Sequence, residues 1–176
     1  MSPVEIKARM LSTDILRYII RPTLKVAELW SPSAEILIYG TGLVESNYNY
    51  LMQIGAPQNG GIGFFQIQPS DYFDMCKWLK LCNTAVNNKR LHNTIISSCY
   101  YEALPLDEMV LASNIKFAVL MCRVHYLRIK KPLPEPDDVA GLSMYHKVYY
   151  NSLLGKADAV KNEQIFRKAI IDSSRT

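Results

Sequence analysis

The sequence contains no uncharged apolar stretch of about 18 residues, the length a membrane-spanning helix needs. It has no internal repeat and no low-complexity tract, so neither a solenoid nor a biased disordered chain is indicated. Its four cysteines, Cys76, Cys82, Cys99 and Cys122, form no C-x-x-C pair, and no histidine sits at ligand spacing from them. That pattern argues against a metal site such as zinc and for reduced thiols filling core or surface positions. No basic run or aromatic–basic motif is present, so a nucleic-acid partner has no support beyond net charge. The first residues, Met1 to Arg9, are charged and amphipathic and lack the apolar core of a secretory signal.

What is there is an ordinary globular composition. The 176 residues are 49% hydrophobic and 20% charged, enough for one domain with a real core. The net charge of +4 mildly favours an anionic partner, which a cell wall, a nucleic acid or an acidic protein would satisfy.

The apolar periodicity is mostly helical. Ile6, Met10, Ile15 and Ile19 recur at near-helical spacing until Pro22 interrupts them, and a second stretch runs from Thr23 to Trp30. Ser31-Pro32 reads as an N-cap followed by proline at the first helical position. From Ile36 to Val44 no residue is charged, the pattern of a helix buried all round. Gly40 and Gly42 within it suggest close approach by a neighbour. Residues 55–63 hold four glycines and read as a loop or short hairpin, and Phe64 to Gln68 as a short strand. Helices are expected from Pro69 to Leu81, near 87–100, from Asp107 to Ile129, at 138–150 and at 158–171. The proline-rich segment from Lys130 to Asp138 is a linker or turn. The fold class is therefore all-α, a single domain with its core at about 15–171 and at most a small hairpin near 55–68.

Glu45 ends the buried run and is followed by the small polar Ser46. A carboxyl at the end of such a segment is partly desolvated, which favours its protonated form. That is what a general acid working near neutrality requires, and glycosidic oxygens leave only when a proton is delivered to them. The same spacing also fits an exposed glutamate in a helix's last turn.

Two stretches, Gly42-Leu43-Val44-Glu45-Ser46 and Gly61-Ile62-Gly63-Phe64-Phe65-Gln66-Ile67-Gln68-Pro69, resemble the soluble lytic transglycosylase and goose-type lysozyme superfamily. A third, Tyr149-Tyr150-Asn151 followed by Gly155, is similar to that family's Tyr-Asn-x-Gly segment. The chain also resembles small phage-encoded members in Ile20 to Leu24, Leu29 to Pro32 and Cys122 to Arg128, so that the resemblance spans roughly residues 15–170.

The resemblance implies a lysozyme-like domain over residues 1–176 that cleaves the bond between N-acetylmuramic acid and N-acetylglucosamine in a peptidoglycan strand. Glu45 would be the single catalytic acid, leaving a 1,6-anhydro end. Gln66 and Gln68 would bind sugar or amide groups, Ser46 would orient Glu45 or serve as a local cap, and Tyr149 or Tyr150 with Asn151 would lie close to it. A hydrolytic route through Asp71 or Asp74 stays open. No cofactor and no metal is implied. The protein would be made soluble in a host cytoplasm, carried with other virion or tail proteins, and delivered to the wall. The alternative is an inactive virion structural or adaptor protein that keeps the fold. His92, His125 and His146 read as isolated, and Arg123, Arg128, Lys130 and Lys131 as a solvated basic face.

Overall fold

The computed structural model describes residues 11–55, 60–82, 86–151 and 158–176, the side chains of residue 82 and residues 86–89 excepted. The expected helical positions Ile6 and Met10, and Gly155 of the third motif, lie outside the described residues. The described chain is all-α, with two isolated bridges, Met52 to Ile62 and Ile62 to Ile67, in place of a sheet. The strand expected at Phe64 to Gln68 is instead a turn over residues 63–66 flanked by those bridges. Its alternation is too short to pair, and Gln66 takes a left-handed φ of 49° that leaves the pleat.

Helix α1 spans residues 11–26 and passes through Pro22 rather than stopping there. The segment Leu16–Ile20 is a π-helical turn, and the Arg21 amide donates to the Leu16 carbonyl, five residues back. The wider turn makes room where a proline ring would otherwise meet the preceding carbonyls, and Pro22 then opens the regular segment Arg21–Val26 at a position that needs no amide. The helix ends at Val26, short of the expected Trp30, and Glu28 turns the chain with φ 57°.

Helix α2, Pro32–Glu45, begins as its sequence predicts. Ser31 is extended, and its side chain accepts a hydrogen bond from the Ala34 amide at 3.1 Å. Ten consecutive residues, Ala34 to Leu43, are buried. A Cβ at Gly40 would overlap the Phe166 ring, and one at Gly42 the ring and hydroxyl of Tyr48. Both glycines therefore mark the close approach expected of them.

Helices α3 (Pro69–Cys82) and α4 (Val86–Ser98) form a hairpin on one flank. The long helix expected over 107–129 is two, α5 (Val110–Ser113) and α6 (Ile115–Leu127). Asn114 divides them, because its extended backbone lets its side chain accept from the Phe117 amide at 3.0 Å and cap α6. Helices α7 (Val139–Tyr149) and α8 (Ala159–Arg175) start at Asp138 and Asp158, each capping its own first turn. Helix α8 packs along both α7 and α2. The buried apolar side chains form one cluster that runs from Ile15 to Ala169, and the thiols of Cys76, Cys99 and Cys122 are free and buried in it. Arg123, expected on a solvated face, is half-buried and donates to the Leu29 carbonyl at 3.4 Å.

A charge lies inside this core. Glu35 is fully buried, and its carboxylate accepts from Arg21 Nε at 2.8 Å and Nη2 at 2.7 Å, from Trp30 Nε1 at 2.7 Å and from Ser173 Oγ at 2.7 Å. Arg21 also donates to the Ser173 carbonyl at 3.0 Å. One carboxylate thus ties α1, α2 and α8 together. Burial pushes the Glu35 carboxyl up, but the hydrogen bonds from Arg21, Trp30 and Ser173 outweigh it and hold the group below its ordinary value of 4.5. A depressed folded-state value means that this stabilisation is complete above pH 4.5 and is lost as the pH falls through the folded value. Glu35→Ala leaves the half-buried Arg21 unpaired and is expected to lower the unfolding free energy by about 3–5 kcal/mol. Denaturant titration at pH 7 measures that loss, and the gap between wild type and variant should narrow as the pH is lowered below 4.5.

Candidate active site

Helix α2 leaves the core at Glu45. The Ser46 amide still donates to the Gly42 carbonyl at 3.1 Å, but Asn47 and Tyr48 take φ values of 49° and 56° and reverse the chain. Left-handed backbone at non-glycine residues costs on the order of 1–3 kcal/mol each and persists only where surrounding contacts hold it. Here the Tyr48 ring supplies them. It stacks on Tyr39 at 5.7 Å between centroids, and its hydroxyl donates to the Tyr39 carbonyl at 3.1 Å. The reversal ends the helix and leaves the Glu45 side chain 17% exposed at the edge of a cleft.

The cleft has a volume of about 430 Å³, within the range of roughly 300–1,000 Å³ usual for small-molecule sites. Four segments build it. Glu45 comes from α2, Gln66, Ile67, Gln68 and Asp71 from the single stretch that leads into the first turn of α3, His125 from α6, and Val148 to Asn151 from the end of α7. It therefore brings Glu45, Gln66, Gln68, Tyr149, Tyr150 and Asn151 to one place. Asn151 Nδ2 donates to Glu45 Oε1 at 2.9 Å, and the Tyr50 hydroxyl donates to the Glu45 carbonyl at 2.7 Å.

The opposite wall is held by backbone contacts. Gln66 Nε2 donates to the Gly63 carbonyl at 2.7 Å, bracing its own turn. The Tyr150 hydroxyl donates to the Phe65 carbonyl at 2.7 Å, so α7 and the turn are pinned across the cleft. Burial keeps the Tyr150 phenol protonated, well above its ordinary value. Tyr149 packs its ring on Tyr145 at 4.6 Å. Gln68 Nε2 lies 3.5 Å from Gln53 Oε1 at the exposed rim. Burial lowers the His125 imidazole, while the contact of its Nε2 with the Tyr149 carbonyl at 2.7 Å pulls the other way. The net lowering keeps that ring neutral at physiological pH, with Nε2 as the donor.

Of the two roles open to Ser46, the structure shows the local cap and not the contact with Glu45. The Ser46 side chain is buried and donates to the Phe64 carbonyl at 2.7 Å, while accepting from the Tyr48 amide at 3.1 Å. It caps the helix end and fastens it to the cleft's turn, with no hydrogen bond to the Glu45 carboxyl. Of the two acids considered as a second carboxyl, Asp71 lines the cleft and Asp74 is exposed away from it.

Sequence reasoning passed over His146. It is fully buried on α7, and its Nε2 lies 3.2 Å from Glu45 Oε1. The approach is off the line of a hydrogen bond, and neither ring nitrogen has a hydrogen-bond partner among the described residues. A signal for it was present, since a helix running into Tyr149-Tyr150-Asn151 places position 146 on the face of Tyr150, four residues on. The His146 ring stacks on Tyr150 at 5.5 Å and 18°. Comparison of the chain with protein-family models, with curated proteins and with solved structures gives no match in any of the three.

Ser46→Ala leaves the Phe64 carbonyl and the Tyr48 amide without their partner. It is expected to destabilise the protein by about 1–3 kcal/mol, read as a lower denaturation midpoint.

Proposed function

We propose that the protein is a peptidoglycan-cleaving glycosidase, a lytic transglycosylase or muramidase in which Glu45 is the general acid and then the general base. The observation that carries this reading is the convergence of Glu45, Gln66, Tyr149, Tyr150 and Asn151 from distant parts of the chain on one cleft. Those are the positions through which the chain resembles the soluble lytic transglycosylase and goose-type lysozyme superfamily. An inactive structural protein with this fold would tolerate a sealed Glu45, whereas here the carboxyl borders an open cleft.

In the proposed reaction the Glu45 proton passes to the oxygen linking N-acetylmuramic acid to N-acetylglucosamine, and the bond from that oxygen to the muramic C1 breaks. The substrate's acetamido group stabilises the positive charge at C1. The muramic 6-hydroxyl oxygen then bonds to C1 and its proton returns to Glu45, which restores the enzyme and leaves a 1,6-anhydro end. Gln66 and Asn151 offer amide groups to the sugar substituents. Asp71 in the cleft wall supports a hydrolytic variant in which a water takes the place of the 6-hydroxyl. The similarity to phage-encoded proteins extends the proposal to an enzyme carried in the virion with tail proteins, which opens the wall locally.

Zymogram clearing of purified peptidoglycan by wild type and by Glu45→Gln tests the assignment. Loss of the acid is expected to lower the rate by about 10²–10⁴-fold, and equal clearing by both proteins would sink it. Mass spectrometry of the products separates the two routes, since an anhydro end is lighter than a hydrolysed end by one water.

A further inference from the structure

We infer that His146 is a positioning residue for Glu45: its buried imidazole stands against Oε1, which already accepts from Asn151, and leaves Oε2 to carry the transferred proton. This rests on the reading of Glu45 as the general acid.

The geometry is asymmetric about the carboxyl. Both polar contacts to it fall on Oε1, from Asn151 Nδ2 at 2.9 Å and His146 Nε2 at 3.2 Å, and among the described residues Oε2 makes none. A carboxylic acid whose one oxygen already accepts an N–H and has an imidazole nitrogen beside it keeps its proton on the other oxygen. His146 itself does not line the cleft and has no exposed surface, so it acts on substrate only through Glu45. Its ring is fixed between Tyr150 and Phe166, the latter at 5.8 Å. A buried imidazole with both nitrogens unpartnered costs free energy, and such groups call for a specific explanation. Here the explanation is the carboxyl beside it. When Glu45 gives up its proton, Oε1 gains negative charge and the nearby Nε2–H becomes a charge-assisted donor, which stabilises the product of that step.

Several titratable groups face the pair. Helix α6 faces it with Cys122, Tyr126 and His125, and the segment after α7 with Tyr150. Burial pushes Cys122, Tyr126 and Tyr150 up, so they stay neutral through the acid range, and it lowers His125. Helix α8 contributes the uncharged Phe166 ring, and α3 contributes Asp71 across the cleft.

The test follows the Glu45 carboxyl carbon and the His146 ring nitrogens by NMR over pH in the intact protein, beside peptidoglycan kinetics. In wild type the two groups should share their inflections, as interacting sites do. Independent titration overturns the inference, and this measurement needs no variant. His146→Phe keeps a ring against Tyr150 but removes the donor. Glu45 should then titrate at higher pH, kcat should fall by about tenfold to a hundredfold with KM nearly unchanged, and the alkaline limb of kcat/KM should move up. His146→Gln restores an N–H and should bring the midpoint and kcat back toward wild type. An unchanged Glu45 midpoint in a folded His146→Phe protein, or a glutamine variant as impaired as the phenylalanine one, overturns it. Coupled titration in a wild type that cleaves no peptidoglycan would sink the enzymatic reading while leaving the pairing of His146 with Glu45 in place.

Discussion

The rest of the structure depends on one constraint: helix α2 has no solvent face across ten residues, so other elements must enclose it on every side. An amphipathic helix can lie against a core, but a helix apolar all round has to be the core. Helices α1, α6, α7 and α8 meet that demand, and Gly40 and Gly42 let Phe166 and Tyr48 come up against the α2 backbone. The cleft lies where this enclosure ends. At Ser46 the chain reverses, and the side chain of the last helical residue reaches water.

The two carboxylates of α2 show how place within one helix decides chemistry. Glu35 lies in the first turn, where the helix dipole favours an anion, and donors from three side chains saturate it. All of its hydrogen-bonding capacity is spent on joining α1, α2 and α8, which suits a structural charge. Glu45 lies in the last turn and lines the cleft, and among the described residues both polar contacts to its carboxyl fall on one oxygen. Incomplete satisfaction in a partly desolvated place is what proton transfer needs and what a structural pair avoids.

The cleft is rigid for a related reason. Its walls are fastened by side chains that donate to backbone carbonyls: Ser46 to Phe64, Gln66 to Gly63, Tyr150 to Phe65 and Tyr50 to Glu45. These bonds fix three segments that are distant in sequence, so the polar groups on the cleft surface need little ordering when a ligand arrives.

Much of this was legible in the amino-acid sequence by itself. The uncharged run after Ser31-Pro32 determined a buried helix, its N-cap and its end at Glu45, because burial and capping are local demands on residue type. The all-α class and most helix positions followed from periodicity. What the sequence could not express is which groups meet across long separations. Glu35 belongs to its hydrophobic helix only because Arg21, Trp30 and Ser173 arrive from elsewhere to satisfy it. Pro22 stays within a helix only because the preceding turn widens. Ser46 faces Phe64 rather than the carboxyl, and His146, unremarkable as a lone histidine, ends beside Glu45 only once α7 has packed against α2. Tertiary structure decided these points, because the energy of a buried polar group is set by the partners that packing brings to it, and no local pattern records them.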